Sequence, residues 1–341
     1  LLNHQIHFIL FLKVNKHGIK LENNSWKVII NPKAGSGRGH RDWPVIKALL
    51  EENGLKFDFE FTRKRYHAVE LTVSAINEGY TKIIAVGGDG TVNEIVNGIF
   101  IQKAIPTTNV LLGTIAVGTG NDWARTYKVP WNYTDAIEAL LVQRDFLQDV
   151  GLATFYETKV HHSRYFANAV GIGFDGAVGF RFNRLKELGR KGKWLYVMAL
   201  VHALIQYRST NVTAKVDEKA INSEIFSATL GIGKFNGGGM LQVPDAISDD
   251  GLFDMTIIRK ISKWNVLRNL PLLYNGRIYD HPKISVVRAK SIVIHSLPSM
   301  PMELDGEAVG HSPFDFSIVP KAIRVVVGAT FREQAEVLPM S

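Results

Sequence analysis

Apolar and polar positions along this chain follow two rhythms. In the first, short apolar runs alternate with segments of helical period. "WKVIINP" (26–32) reads as a strand, and "HRDWPVIKALLEEN" places Trp43, Ile46 and Leu50 on one helical face before stopping at Gly54. "KFDFEFT" alternates as a strand does, "AVELTVSAINEG" reads as a helix ending on Gly79, and "KIIAV" is strand again. "TVNEIVNGIF" predicts a helix, "NVLLGTIA" a strand, and "TDAIEALLV" a last helix after Pro130. Strand and helix alternating at short spacing predict a parallel sheet with helices on its faces.

After about Gln148 the rhythm changes. "RYFANAVGIG", "NVTAKVD", "IFSATLGIG", "LFDMTIIR", "ISVVRAKSIVIHS" and "FDFSIVP" are rich in β-formers, with helical segments near 194–206 and 263–273. This predicts a second, mostly antiparallel, sandwich-like domain. The expected organisation is a leader or extension over 1–25, with its order left open, then an α/β domain over 26–148 and a β domain over 149–320. A C-terminal segment, 321–341, contains the strand "AIRVVVGA", which is read as returning to the first domain. No internal repeat or low-complexity tract interrupts the pattern.

Composition narrows the functional classes. A length of 341 residues with 46% hydrophobic content suits two domains. There is no cysteine, which removes disulfides, thiolate metal sites and cysteine nucleophiles and fits a reducing interior. A formal net charge of +8 favours an anionic partner. No finger, recognition-helix or stacking-platform signature supports nucleic acid as that partner. No stretch reaches the roughly 18 apolar residues of a spanning helix; "WLYVMALVHALI" (194–205) is too short and reads as a buried helix. "HFILFLKV" near the N-terminus is a weak signal-peptide candidate, lacking a charged lead and a small-residue cleavage site.

Three glycine-rich turns follow three predicted strands. In "NPKAGSGRG" (31–39) the turn could cradle phosphate oxygens or be a solvated loop, and neither a Walker A pattern nor G-x-G-x-x-G is present. In "VGGDGTVNE", Gly87, Gly88 and Gly90 permit close backbone approach around Asp89, while Thr91 and Glu94 have capping-box spacing. Capping leaves Asp89 unexplained, and a carboxylate at the C-terminal end of a parallel strand lies where such sheets bind ligands. "GTIAVGTGNDWAR" repeats the design, with Gly118 and Gly120 around Thr119, then Asn121 and Asp122. Three such loops from one sheet converge and point to a nucleotide site. Later, "PDAISDDGLFD" fits an Asx turn or a hard-cation site on Asp250 with nearby carbonyls. "MELDGEAVG" fits a D-G hairpin turn or a base, Asp305, beside an apolar approach.

In this order, "NPKAGSG", "VGGDGTVNEIVNG", "GTIAVGTGNDWAR", "DDGLFD" and "LDGE" resemble the diacylglycerol kinase catalytic family, in its bacterial soluble branch, a group that also takes in sphingosine and ceramide kinases. "GGDG" alone is shared with NAD kinases and phosphofructokinases; the paired "GTGND" and the late "LDGE" are far more specific. The resemblance runs from Trp26 to about Ala329 and implies a Rossmann-like parallel-sheet nucleotide domain of the NAD kinase and phosphofructokinase type, joined to a C-terminal antiparallel β-sandwich. It implies ATP-dependent phosphorylation of a lipid hydroxyl, with diacylglycerol ranked first on family frequency. Another lipid (sphingoid base, ceramide or phosphatidylglycerol), an NAD-kinase-like activity, and a non-catalytic lipid-binding module are the alternatives.

By the same resemblance, Asn31, Gly35, Ser36, Gly88, Asp89, Gly90, Thr91, Glu94, Gly118, Thr119 and Asn121 look like ATP contacts. Asp305 resembles the catalytic base, supported by Glu307, and a structural Mg²⁺ would fall to Asp250 with carbonyls around Ile247 and Leu252. The implied cofactors are ATP and Mg²⁺, and the implied location is cytoplasmic and peripheral to an anionic membrane. Oligomeric state, a homodimer included, is not readable. The basic run "RFNRLKELGRKGK" (181–193), with Phe182, Leu185 and Leu188 interleaved, is the candidate membrane segment, its alternative being a solvated linker.

Overall fold

The computed structural model describes residues 23–188 and 195–332. The first half contains β1 (Asn23–Ile30), α1 (Ala34–Arg41), α2 (Trp43–Glu52), β2 (Phe57–Phe61), α3 (His67–Asn77), β3 (Tyr80–Gly87) and α4 (Asp89–Ile101). It continues with β4 (Leu111–Ala116), α5 (Asp122–Thr126), α6 (Tyr133–Val142), β5 (Asp145–Glu157), β6 (Val160–Phe166) and β7 (Ala169–Gly173). Then follow α7 (Phe174–Glu187), α8 (Leu195–Gln206), β8 (Thr210–Val216), β9 (Lys219–Gly231), β10 (Phe253–Arg259) and α9 (Lys263–Tyr274). The last strands are β11 (Ile284–Ala289), β12 (Ser291–Leu297), β13 (Pro301–Leu304) and β14 (Glu307–Val326).

The architecture corrects the expectation of a Rossmann-like parallel sheet joined to a separate β-sandwich. Among the described residues, all 14 strands belong to one hydrogen-bonded sheet. Within it, β7, β13, β14, β12, β8 and β9 pair antiparallel in a ring, and β9 returns to β7, so these six strands close a barrel. The parallel pairs β2–β1, β1–β3 and β3–β4 extend this same sheet, because β4 pairs parallel with the end of β14. The physical reason is the length of β14. Its 20 residues outrun any one small sheet, and a register irregularity between Val319 and Ile323 lets it turn from the barrel to the parallel strands. A strand shared by both regions is invisible to a reading that divides the chain by local rhythm.

The burial pattern follows from the pairing. In β8 the sequence "TNVTAKV" alternates buried and exposed positions, as a barrel wall requires. Val170, Ile172, Met302 and Leu304 face the barrel core, so their neighbours Gly171 and Glu303 face outward. In the parallel region alternate residues serve two cores. Ile29, Ile83 and Leu112 join one with α3 and α4, and Val28, Ile84 and Leu111 join the other with α2 and α6.

Two local readings are also corrected. The helix α4 begins at Asp89 with Gly88 as its cap and no side-chain capping bond, so Thr91 and Glu94 do not form a capping box. The glycine-rich "FDGAVGFRFNRLKE" is a helix, α7, where the sequence offers only a basic linker. Its glycines permit close packing: a Cβ on Gly176 would stand 2.4 Å from the Pro301 carbonyl oxygen. Phe182 and Leu185 are partly buried and pack against the cluster of Phe174, Val178, Ala203 and Phe226, whereas Leu188 is exposed. Arg190, Lys191 and Lys193 lie outside the described residues, as does the extension over 1–22.

Candidate active site

The three glycine-rich loops do meet. Asn31 Nδ2 donates to Thr91 Oγ1 at 3.1 Å, joining the first loop to the second. In the first loop Gly35, Ser36 and Gly37 are left-handed in succession, with φ of 57, 60 and 94°. Gly35 lies against the third loop, and a Cβ there would fall 2.0 Å from the Val117 carbonyl oxygen. Arg38 fastens the same junction, donating from Nη2 to the carbonyls of Val117 (2.8 Å) and Gly118 (2.5 Å). Gly88 and Gly118 meet backbone to backbone, since a Cβ on Gly118 would be 2.5 Å from Gly88 Cα. Ser36 and Thr119 are exposed at the lip.

Asp89 is half-buried where these loops join. Its Oδ1 accepts the Trp123 N–H at 2.9 Å, and a Cβ on Gly120 would stand 3.2 Å from its Oδ2. Burial, with the nearby charges of Asp122 and Asp305, pushes its carboxyl up to about 7 against the pull of the Trp123 N–H. Asp122 accepts the N–H groups of Gly238 (2.7 Å) and Gly239 (2.6 Å), which brings in a fourth segment. Asn121 holds the third loop in shape through Nδ2 to the Gly118 carbonyl at 3.0 Å. Glu94 serves α3 and not the glycine loops, accepting the N–H groups of Tyr66 (2.9 Å) and Ala68 (3.0 Å).

The turn between β13 and β14 is the fifth segment, and a Cβ on Gly306 would be 4.0 Å from Asp89 Cβ. Asp305, at its head, is buried with φ 45°. Its Oδ2 accepts Asn93 Nδ2 (2.8 Å) and the Ala167 N–H (2.9 Å), and its Oδ1 accepts the N–H groups of Asn168 and Ala169, each at 3.0 Å. Burial raises its pKa, opposed by all four of these donors. An ionised carboxylate has about four acceptor positions, so Asp305 is fully engaged in pinning Ala167–Ala169 and Asn93. Glu307 Oε2 pairs with Arg164 Nη1 (2.8 Å) and Arg65 Nη2 (3.2 Å), while a Cβ on Gly90 would be 3.2 Å from its Oε1. Burial works to raise the Glu307 pKa, but the two guanidiniums prevail and hold it below the usual carboxylate range.

Behind this turn the outer face of the barrel carries a polar row set by register: Thr256, Thr229, Gly171 and Glu303 lie opposite one another on β10, β9, β7 and β13. Asp175 on α7 covers Gly171, accepting Ser227 Oγ at 3.0 Å and Thr229 Oγ1 at 3.3 Å, and burial pushes it up to about 6. Glu303 receives one N–H, from Gly306 at 2.9 Å, and burial with the Asp175 charge pushes it up to about 8. Thr256 and Thr229 of this row, with Asp175 and Ser227, floor a cavity of about 80 Å³ whose walls, Phe174, Leu200, Val266, Leu270 and Leu273 among them, are apolar.

Sequence reasoning missed Asp175, Glu303, Asn93, Arg65 and Arg164. It also passed over the loop Gly237–Gly239, whose φ values of 71, 87 and 96° were advertised by three consecutive glycines. The expected cation site is of a different character. Asp250 Oδ1 accepts the Leu252 N–H at 3.0 Å and its Oδ2 pairs with Arg288, which also holds Asp254 at 2.9 Å. A guanidinium thus supplies the positive charge there, so these side chains do not fit a Mg²⁺ at Asp250 without displacing Arg288. Among the described residues no group of three or more His, Asp or Glu side chains could hold a metal ion.

Comparison with known proteins covers most of the chain. The family model "Diacylglycerol kinase catalytic domain" matches residues 25–152, and "YegS C-terminal NAD kinase beta sandwich-like domain" matches residues 168–327. A diacylglycerol kinase of Staphylococcus haemolyticus (strain JCSC1435) is 30% identical over 300 residues, spanning 88% of this chain and 87% of that protein. One from Staphylococcus carnosus (strain TM300) is 29% identical, spanning 88% of this chain and 94% of that protein. A solved diacylglycerol kinase structure from Bacillus anthracis (strain Sterne) shares the fold with a TM-score of 0.66 at 22% identity, over 91% of this chain and 99% of that chain. Another from the same organism gives a TM-score of 0.71 at 24% identity, over 92% and 100%.

Proposed function

This chain belongs to the diacylglycerol kinase family and is an ATP-dependent lipid kinase, and from that premise we propose how its residues divide the work. The acceptor is diacylglycerol, giving phosphatidic acid. Residues 26–148 carry the nucleotide and 149–320 the acceptor, with the end of β14 returning to the first. The observation that carries this reading is the junction of the three glycine-rich loops with the Gly238–Gly239 segment and the Asp305–Gly306 turn, at which Asp89 lies.

The phosphates of ATP lie against the loops containing Gly35, Ser36, Gly88, Gly90 and Thr119, where absent side chains leave room for close backbone approach. Mg²⁺ bound with the nucleotide would neutralise phosphate charge as the phosphoryl group transfers. Asp122, in the third loop beside Asp89, is the carboxylate that would face it. Arg65 and Arg164 add positive charge beside Gly90 through Glu307.

Asp89 is the proton acceptor in this proposal. It takes one hydrogen bond from elsewhere in the chain, lies at the junction of loops and turn, and has a pKa near neutrality, as general-base catalysis favours. Asp305, with its acceptor positions filled, holds the turn in place. This exchanges the parts that the family resemblance suggests for the two aspartates. The cavity has the room of about two to three waters, so it admits the acceptor's polar head and leaves the acyl chains outside. The enzyme therefore works at the surface of an anionic bilayer on the cytoplasmic side. Among the described residues no helix is long and apolar enough to cross one.

Purified protein given radiolabelled ATP and Mg²⁺ is tested against diacylglycerol, monoacylglycerol and a sphingoid base in mixed micelles, and against NAD in solution. Label in phosphatidic acid at the highest kcat/KM is the expected result. A higher value for any other acceptor would overturn the assignment.

A further inference from the structure

The helix α9 contains no residue buried below the surface layer, and its two faces differ in what they meet. Val266, Leu270 and Leu273 turn inward and wall the acceptor cavity. Trp264, Leu267, Pro271 and Tyr274 recur at helical spacing on the other side and are all exposed, Trp264 at 73% and Tyr274 at 60%. The neighbouring α8 behaves alike. Leu195, Ala199, Ala203 and Leu204 are buried, while Val197, Met198, Val201 and Ile205 are exposed along one stripe. The helices adjoin each other, since Lys263 Nζ reaches the Ile205 carbonyl and Val266 packs with the buried residues of α8. Two uncovered apolar stripes thus stand side by side on helices that both wall the cavity, which is more than scattered surface hydrophobes.

Charge identifies the occupant. Neither "LYVMALVHALIQ" nor "KWNVLRNLPLLY" contains an acidic residue, whereas Lys263 and Arg268 on α9 are basic and exposed. On the adjoining α7, Arg184 is exposed as well. A second copy of the chain would bring the same cationic helices together. An anionic bilayer offers complementary charge, apolar depth for the stripes, and an interfacial zone suited to Trp and Tyr.

We propose that the exposed faces of α8 and α9 form the membrane-docking surface of this enzyme, seating the cavity mouth on an anionic leaflet with Trp264 and Tyr274 at the headgroup level. The proposal rests on the functional reading above, in which the acyl chains stay in the bilayer while the head enters the cavity. It moves the membrane face from the interior of α7, where Phe182 and Leu185 are already packed, to its two neighbours. Lys263 and Arg268 would extend beside the stripe and place their charges among the headgroups.

The test uses the full chain with vesicles of phosphatidylcholine and phosphatidylglycerol, by co-sedimentation at low and high salt. Alongside it runs turnover of a short-chain diacylglycerol dispersed in solution. Trp264→Ser with Leu267→Ser is expected to lower vesicle partitioning by about tenfold or more, given the apolar area lost, while leaving turnover of the dispersed acceptor unchanged. Lys263→Gln with Arg268→Gln is expected to weaken binding at low salt and to flatten its salt dependence. Vesicle binding by the Trp264 and Leu267 variant equal to that of wild type would overturn the docking face. So would a dimer seen by analytical ultracentrifugation that this variant abolishes while wild type ignores vesicles. A wild type that binds vesicles through these residues yet phosphorylates no diacylglycerol would leave the docking face standing and remove the acceptor reading instead.

Discussion

Replacing Asp305 by asparagine tests the site at its most connected point. The backbone there is left-handed, at φ 45°, a conformation asparagine tolerates, so the change isolates the side chain. Every acceptor position of the carboxylate faces a donor: Asn93 Nδ2 and the Ala167 N–H on one oxygen, the Asn168 and Ala169 N–H groups on the other. An amide has one oxygen and one NH₂, so whichever way it turns, two acceptor contacts become donor facing donor. Hydrogen bonds to a charged acceptor contribute about 1.5–3 kcal/mol each, so the gross loss is about 3–6 kcal/mol. Removing a buried charge gives part of that back, and a net destabilisation of about 3 kcal/mol is expected. Against a typical total of about 5–15 kcal/mol this is a large fraction but leaves a folded protein in the cold. Urea denaturation gives the stability, and turnover well below the melting temperature, together with ATP affinity, gives the function. A midpoint shift worth less than about 0.5 kcal/mol would refute the hydrogen-bond reasoning. A folded Asp305→Asn that turns over normally would restrict Asp305 to holding the turn, and one that binds ATP normally but is inert would return the base role to it.

Asp89→Asn is expected to lower kcat by about 100-fold or more and to abolish the pH dependence of kcat/KM for ATP, which in wild type should rise up to a pH near 7 and then level off; an unchanged pH profile would exclude Asp89 as the base. Glu303 shifts from an ordinary 4.5 to about 8, so between those values the folded chain keeps a proton that the unfolded chain releases, and stability falls as pH rises. Glu303→Gln should flatten that fall, by about 2 kcal/mol at pH 8.5 if only half the shift is realised, as read by urea titrations at pH 5 and pH 8.5. Arg288→Met should cost about 3 kcal/mol by stripping the counter-ion from buried Asp254, whereas chelator should leave the wild-type melting temperature unmoved; a large drop with chelator would show a cation at Asp250 after all. Gly35→Ala puts a Cβ 2.0 Å from the Val117 oxygen at a left-handed position and should raise the KM for ATP at least tenfold, an outcome that steady-state kinetics checks directly.

What the sequence made legible was local chemistry. Gly35, Gly88, Gly90 and Gly118 stand out because a residue without a side chain, following an apolar run, announces a turn whatever the rest of the chain does. Asp89 was legible for the same reason, as the one carboxylate among them. The partners of Asp305 were not, since the N–H groups that hold it lie 136–138 residues away and are brought there by the pairing of β13 with β7. Glu303 and Asp175 were hidden differently. Their importance depends on which barrel face they occupy, and the face follows from register, not from the composition of "PMEL" or "FDGAV". The helix α7 was missed because Gly176 and Gly179 lower helix propensity, a local cost overridden by close packing on β13 and β14. The single sheet was missed because β14 is read as separate strands when a bend falls near Pro320.

The carboxylates around the Asp305–Gly306 turn show why the functional roles should divide as proposed. Glu307 is paired with two arginines and held below the usual carboxylate range, while Asp122 accepts two backbone N–H groups, Asp305 four donors and Asp175 two hydroxyls, against burial that still raises all three. Asp89 and Glu303 each accept a single hydrogen bond from another residue, and theirs are the carboxyls pushed to about 7 and about 8. Each donor that meets a buried carboxylate opposes the rise that burial causes, so one with a single donor is carried further toward neutrality. These two groups flank one turn, Asp89 on the side of the glycine loops and Glu303 on the side of α7. Phosphoryl transfer to a hydroxyl needs a group that can accept a proton beside the phosphates, and Asp89 answers that description. Glu303, pushed up to about 8 by burial on the α7 side of the same turn, keeps its proton at neutral pH and so adds no second negative charge to the one that Asp89 carries as a base.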